Sequence, residues 1–216
     1  MKFKAAVFDL DGTLLDTLED IADSMNCVLS RHGHRIHDIE PYKYFVGNGF
    51  RNLVIRALPE GMHSDSYIDD CYTEVREEYA KRWNNKTKAY PGISEMLDGL
   101  SARGLKLSVL SNKSDNFANL MIKQLLPHWD FYPIYGERPG IPKKPDPAAA
   151  VGIAGILDVR PEECLYLGDT GIDMITASSA GMFAVGVLWG FRKADELLAN
   201  GAKVLVREPI EVLQFI

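Results

Sequence analysis

Short apolar runs that each stop on a polar or acidic residue, separated by segments of helical period, constrain this chain more than any other feature. The first run, Phe3 to Phe8, is rich in strand formers and ends at Asp9-Leu10-Asp11-Gly12, which reads as a buried strand entering a turn. Beyond the turn at Pro91-Gly92, strands are expected at 105–110, 131–135, 164–167, 183–187 and 204–206. Helices are expected between them at 117–125, 148–157 and 172–179. Such repetition implies an α/β chain with a doubly wound parallel sheet covered on both faces.

The stretch after the first turn has a different rhythm. Leu15, Leu18, Ile21, Ala22, Met25, Val28 and Leu29 fall at helical spacing, and Gly33 is a plausible stop. A second helical patch runs from Phe50 to Leu58 and a third from Tyr67 to Trp83, with charges between the apolar positions. The expected organisation is a Rossmann-like core from 1–14 and 87–216, with an all-helical insertion at 15–86 after the first strand.

A net charge of -6 argues against a surface that tracks nucleic acid or an anionic membrane, since both need clustered Lys and Arg. An anionic substrate must therefore be held by local charge. Cys27, Cys71 and Cys164 are odd in number and lack any CxxC spacing, so neither a disulfide framework nor a structural zinc site is expected. With no signal-like N-terminus and no apolar run of membrane-spanning length, a cytoplasmic protein is the expectation. Either a monomer or a homodimer fits.

Ligands of open parallel sheets bind beyond the carboxyl ends of the strands. Those ends carry Asp9 and Asp11, then Ser111 and Asn112, then Asp169 and, four residues on, Asp173. Each has an ordinary alternative: Asp-Gly pairs make turns, Ser-Asn opens loops, and Asp169 can cap the next helix. Their joint placement at one sheet edge is harder to assign to turns alone. Four clustered carboxylates repel unless a cation neutralises them, and hard oxygen ligands favour Mg2+. Lys144, in the proline-stiffened loop 141–147, adds a positive charge that is a solvated side chain in one reading and a phosphate clamp in the other.

With these residues in view, the chain resembles the haloacid dehalogenase-like hydrolase superfamily, and within it the phosphoglycolate phosphatase group. The matching segments are Asp9-Leu10-Asp11-Gly12-Thr13, Leu110-Ser111-Asn112-Lys113, Lys144-Pro145-Asp146-Pro147 and Gly168-Asp169-Thr170-Gly171-Ile172-Asp173, in that order. The resemblance implies a magnesium-dependent phosphatase acting on a small phosphorylated metabolite. It implies that Asp9 is the nucleophile, forming an aspartyl phosphate, and that Asp11 is the general acid and base. Mg2+ is implied at Asp9, Asp169 and the Asp11 carbonyl, with Asp173 assisting. Ser111, Lys144, Thr13, Asn112 and nearby backbone amides are implied to hold the phosphoryl oxygens.

The helical insertion resembles the cap of this superfamily, which supplies leaving-group contacts. Gly47, Asn48, Gly49 and Arg51 resemble the cap loop of phosphoglycolate phosphatases, although the glycines can equally be a plain turn between helices. Arg51 and Lys43 are the candidate contacts for a substrate carboxylate. Sugar-phosphate mutases of the superfamily place an arginine three residues after the cap glycine, where this chain has Phe50. Phosphomutase or pyrophosphatase chemistry stays open as an alternative. A phospho-aspartate signalling domain fits less well, because such domains lack a long helical insertion. His32, His34 and His37 read as a polar connection rather than a second metal site.

Overall fold

The computed structural model describes residues 3–216, which divide into two compact units: one built from the residues up to Leu15 together with Ala89–Ile216, the other from Asp16–Lys88. In the first unit, β1 (Ala5–Phe8) is flanked by β4 (Lys106–Ser114) and β6 (Cys164–Gly168). Outside these lie β5 (Phe131–Glu137), β7 (Phe183–Val187) and β8 (Val204–Val206), giving a six-stranded parallel sheet ordered β5-β4-β1-β6-β7-β8. All four residues of β1 are fully buried, as expected for a strand with helices over both faces. Ala5 and Val7 face the cluster formed by Ala150, Ile153, Met174 and Ala177. Phe8 meets Phe131 edge-on, with the ring centroids 6.1 Å apart.

Helices α5 (Ile93–Ala102), α6 (Asp115–Leu125), α7 (Ala148–Ile156), α8 (Gly171–Ser179) and α9 (Ala194–Ala199) make the connections. The chain runs outward from β1 through β4 to β5, then crosses back to β6 beside β1 and runs outward again. The reversal places the carboxyl ends of β1 and β6 at the switch point where sheets of this kind bind ligands. The register pairs Phe8 with Leu167, so Asp9 and Gly168 follow at the same level.

The second unit holds α1 (Leu18–Arg31), α2 (Ile39–Phe45), α3 (Phe50–Ala57) and α4 (Asp65–Arg82). Leu15 is not helical as its spacing suggested: it belongs to β2 (Leu15–Asp16), which pairs with β3 (Lys88–Ala89) where the chain leaves and returns. Buried Asp20 on α1 accepts the backbone N–H of Lys86 (3.0 Å), and the N–H and hydroxyl of Thr87 (both 2.8 Å), tying the end of the unit to its start. The three histidines each engage Nε2 with a different partner, His32 with Glu74, His34 with the Tyr67 hydroxyl and His37 with the Ala57 carbonyl.

Buried Glu78 on α4 accepts Arg31 at 2.6 Å and also meets Arg82. Arg31 first, then Arg82 and Lys81, hold its carboxyl down at about 2 against the opposing effect of burial. A carboxyl depressed by folding adds stability above its unfolded value near 4.5, and that contribution is lost as pH falls through about 2. Glu78→Gln is therefore expected to lower the melting temperature at pH 7, with the gap to wild type closing between about pH 4.5 and pH 2. A gap that stays constant through that window contradicts the assignment.

Candidate active site

The site begins with the tight turn after β1. Gly12 has φ +85°, a left-handed conformation, and a Cβ there would collide with the Asp169 carboxylate. The turn wraps around the Leu10 carbonyl, which accepts the N–H groups of Thr13, Leu14 and Leu15. Asp9 is thereby left buried at the strand end, its Oδ1 accepting the Leu10 N–H at 2.7 Å.

Asp9, Asp169 and Asp173 are buried, and each offers an oxygen within 4.8 Å of the others. Like charges this close repel by about 3–4 kcal/mol per pair at an effective dielectric near 20. Burial, then Asp173, pushes the Asp9 carboxyl up to about 7, Lys144 pulling the other way. Burial, then Asp173 and Asp9, likewise pushes Asp169 well above the usual carboxylate range. Lys144 Nζ lies 2.8 Å from Asp9 and 2.7 Å from Asp173. Burial opposes its charge, but the two carboxylates outweigh this and hold the ammonium protonated.

That one ammonium does not reach Asp169, whose described partners are neutral: the Thr13 hydroxyl donates to Oδ1 at 3.0 Å and the Phe191 N–H to Oδ2 at 2.9 Å. Three buried carboxylates with a single lysine among them therefore fit a hard divalent cation, whose preferred ligands are carboxylate and carbonyl oxygens. Both oxygens of Asp173 are engaged, Oδ1 by Lys144 and Oδ2 by the backbone and hydroxyl of Thr170, in a capping box that opens α8.

Two residues expected at the substrate have partners within the fold. Thr13 is fully buried and donates its hydroxyl to Asp169. The Asn112 amide pairs with the Lys144 backbone in both directions, donating to its carbonyl at 3.1 Å and accepting its N–H at 3.0 Å. It fixes the lysine loop against β4. Ser111 is buried on the same strand, its Oγ accepting the Lys113 N–H at 3.2 Å.

The structure also supplies a residue absent from the sequence-based candidates. Lys113 Nζ lies 2.9 and 3.1 Å from the two oxygens of Asp11. The expected strand stopped at Leu110, whereas β4 continues to Ser114 and carries Lys113 inward. Two-residue periodicity from Ser111 is the signal that points to it. Trp189 and Phe191 brace the turn: the Trp189 indole donates to the Thr13 carbonyl at 2.9 Å, and the Phe191 N–H holds Asp169.

Between them, Gly190 packs so closely that a Cβ would collide with both Asp169 and the Gly12 carbonyl. Gly190→Ala is therefore expected to displace Asp169, so that a divalent cation held by that carboxylate would bind about 10–100-fold more weakly, the usual cost of disturbing a ligand's support. Magnesium titration by calorimetry checks this, and unchanged affinity would show that the loop gives way without moving Asp169.

The remaining candidates, Lys43, Gly47, Asn48, Gly49 and Arg51, belong to the helical unit. Gly47 and Gly49 have positive φ and form the turn from α2 into α3, with the Asn48 carbonyl accepting the Asn52 amide. Arg51 is paired with Asp65 and Asp69 of α4, and Lys43 with Glu40. Phe50 packs on the Tyr79 ring at 5.1 Å.

Comparison with known proteins bears on the whole arrangement. A phosphoglycolate phosphatase of Psychrobacter arcticus is 32% identical over 201 residues, spanning 88% of this chain and 86% of that protein. A crystal structure from Lactobacillus delbrueckii subsp. bulgaricus, provisionally assigned as a phosphoglycolate phosphatase, superposes with a TM-score of 0.92 at 30% identity, covering 100% of this chain and 99% of that one. A β-phosphoglucomutase from Clostridium difficile shares the fold with a TM-score of 0.77 at 22% identity, over 99% and 96% of the two chains. The model of the haloacid dehalogenase-like hydrolase family matches residues 6–187. Because that match runs through every strand end that builds the site, the chain belongs to the haloacid dehalogenase-like hydrolase family.

Proposed function

We propose that this hydrolase is a magnesium-dependent phosphatase of small phosphate monoesters, with 2-phosphoglycolate as the leading substrate. The observation that carries the reading is the buried group Asp9, Asp169 and Asp173 around Lys144, with a second carboxylate, Asp11, two residues from the first. The 32% identical Psychrobacter arcticus relative supports the choice of substrate.

In this reading an Asp9 oxygen attacks phosphorus, the bond to the ester oxygen breaks, and Asp11 gives its proton to the departing alcohol. Asp11 then takes a proton from water as that water attacks the aspartyl phosphate. The bond between Asp9 and phosphorus breaks, and inorganic phosphate leaves with both carboxyl groups restored. Lys144 neutralises Asp9 and, with the Leu10 N–H, keeps it aimed, while Ser111 and backbone amides near Asn112 orient phosphoryl oxygens. Mg2+ would be held by Asp9, Asp169 and the Asp11 carbonyl, and would supply charge neutralisation at the phosphoryl group. Asp173, with both oxygens occupied, acts through Lys144 or a bound water. The unit Asp16–Lys88 serves as the cap.

The test is a kinetic panel with Mg2+ over phosphoglycolate, an aryl phosphate, sugar phosphates, nucleotides and pyrophosphate. Phosphoglycolate is expected to give the highest kcat/KM. Preferential cleavage of pyrophosphate, or transfer to a sugar acceptor in place of water, would replace the phosphatase reading by one of its relatives. Absence of phosphate release from every monoester would remove it.

A further inference from the structure

Lys113 has no task in the chemistry above, yet its side chain is only 1% exposed. Its partner Asp11 is 12% exposed and lies near enough to the surface for water to solvate a carboxylate. Burying an ammonium is costly unless it is well paired, so a lysine committed to a partly solvated carboxylate does more than balance charge. The contact reaches both Asp11 oxygens, at 2.9 and 3.1 Å, which restricts rotation about both side-chain torsions. Lys113 is itself firmly rooted. It lies in β4, its N–H is tied to Ser111 Oγ, and Gly136 of the neighbouring strand packs directly on its carbonyl.

We infer that Lys113 is the positioning residue for Asp11, holding the carboxyl group in the one orientation from which it can reach the leaving oxygen. The inference rests on the phosphatase reading and deepens it. When one Asp11 oxygen carries the proton, the other still accepts from Lys113, so the grip survives in both halves of the reaction. In the first step the bond from phosphorus to the ester oxygen breaks and the Asp11 proton moves to that oxygen. The Lys113 protons are not transferred.

A residue that acts through the general acid matters in proportion to how badly the leaving group needs a proton. Lys113→Met and Lys113→Gln are compared with wild type on p-nitrophenyl phosphate, whose phenolate leaves readily, and on phosphoglycolate, whose alkoxide does not. For Lys113→Met, kcat/KM, which reports only the steps up to departure of the alcohol, is expected to fall about a hundredfold on the alkyl ester and about fivefold on the aryl ester. Lys113→Gln, which keeps an NH2 donor group but not the charge, is expected to fall between. The ratio of the two activities within one preparation does not depend on the fraction folded, so a partly unstable variant still decides the matter. Equal losses on both esters would make Lys113 a structural counter-ion and overturn the inference while leaving the phosphatase reading intact. A wild type inactive on both esters would instead overturn that reading, and this inference with it.

Discussion

Asp9→Asn is expected to lower kcat for phosphate release by about 10⁴-fold or more, the scale of loss when a covalent nucleophile is removed. The amide keeps the shape of the side chain but cannot attack phosphorus. The same substitution should not unfold the protein. In magnesium-free buffer Asp9 is a burden on the fold, because burial and the neighbouring Asp173 raise its carboxyl to about 7. A carboxyl raised in this way stabilises fully below its unfolded value near 3.8, and that advantage is lost as pH rises through about 7. The variant is thus expected to melt no lower than wild type at pH 8 without metal, while releasing no phosphate when magnesium is present. Parallel melting curves and phosphate assays check both halves. Turnover within tenfold of wild type would show that Asp9 is not the nucleophile, and a collapsed melting curve would show that its charge is needed for folding.

The second large effect is the reverse case, in which removing a charge harms the fold. Lys144→Met strips the ammonium that lies 2.8 Å from Asp9 and 2.7 Å from Asp173, leaving buried carboxylates without a cation. Breaking a buried pair in this way costs about 3–5 kcal/mol. For a chain of this length that is a fall in melting temperature of about 10 °C. The loss should be greatest near pH 8 in magnesium-free buffer and smaller at pH 5, where Asp9 already carries a proton. Added Mg2+ should restore part of the stability but not the activity, because the nucleophile has lost the group that aims it. Equal melting of the two proteins at pH 8 would mean that solvent screens these carboxylates despite their burial.

Much of this site was legible before any coordinates. β7 and β8 lie where their apolar runs place them, at Phe183–Val187 and Val204–Val206. Asp9, Asp169 and Asp173 could be collected because parallel strand ends share one edge, and that edge follows from the alternation of strand and helix. What escaped was the use of polar residues inside the fold. Ser111-Asn112-Lys113-Ser114 reads as a loop, since four polar residues in a row seldom form a buried strand. β4 continues through them because Lys113 finds Asp11 and Asn112 finds the Lys144 backbone, partners 102 and 32 residues away in the chain. The partner of Thr13 escaped for the same reason, Asp169 being 156 residues distant. Local pattern reveals where a polar group lies along an element, and only the tertiary fold reveals what it touches.

The pairing of β2 with β3, together with the hold of Asp20 on Lys86 and Thr87, carries a lesson about descent. An excursion whose two ends meet and are fastened among its own residues is, for the sheet, a side branch. Its sequence can drift, lengthen or be exchanged without re-threading a single strand. A lineage can in this way keep its sheet and strand ends unchanged while trialling many inserts, and grafting a relative's segment between Leu15 and Ala89 is the laboratory form of the same experiment.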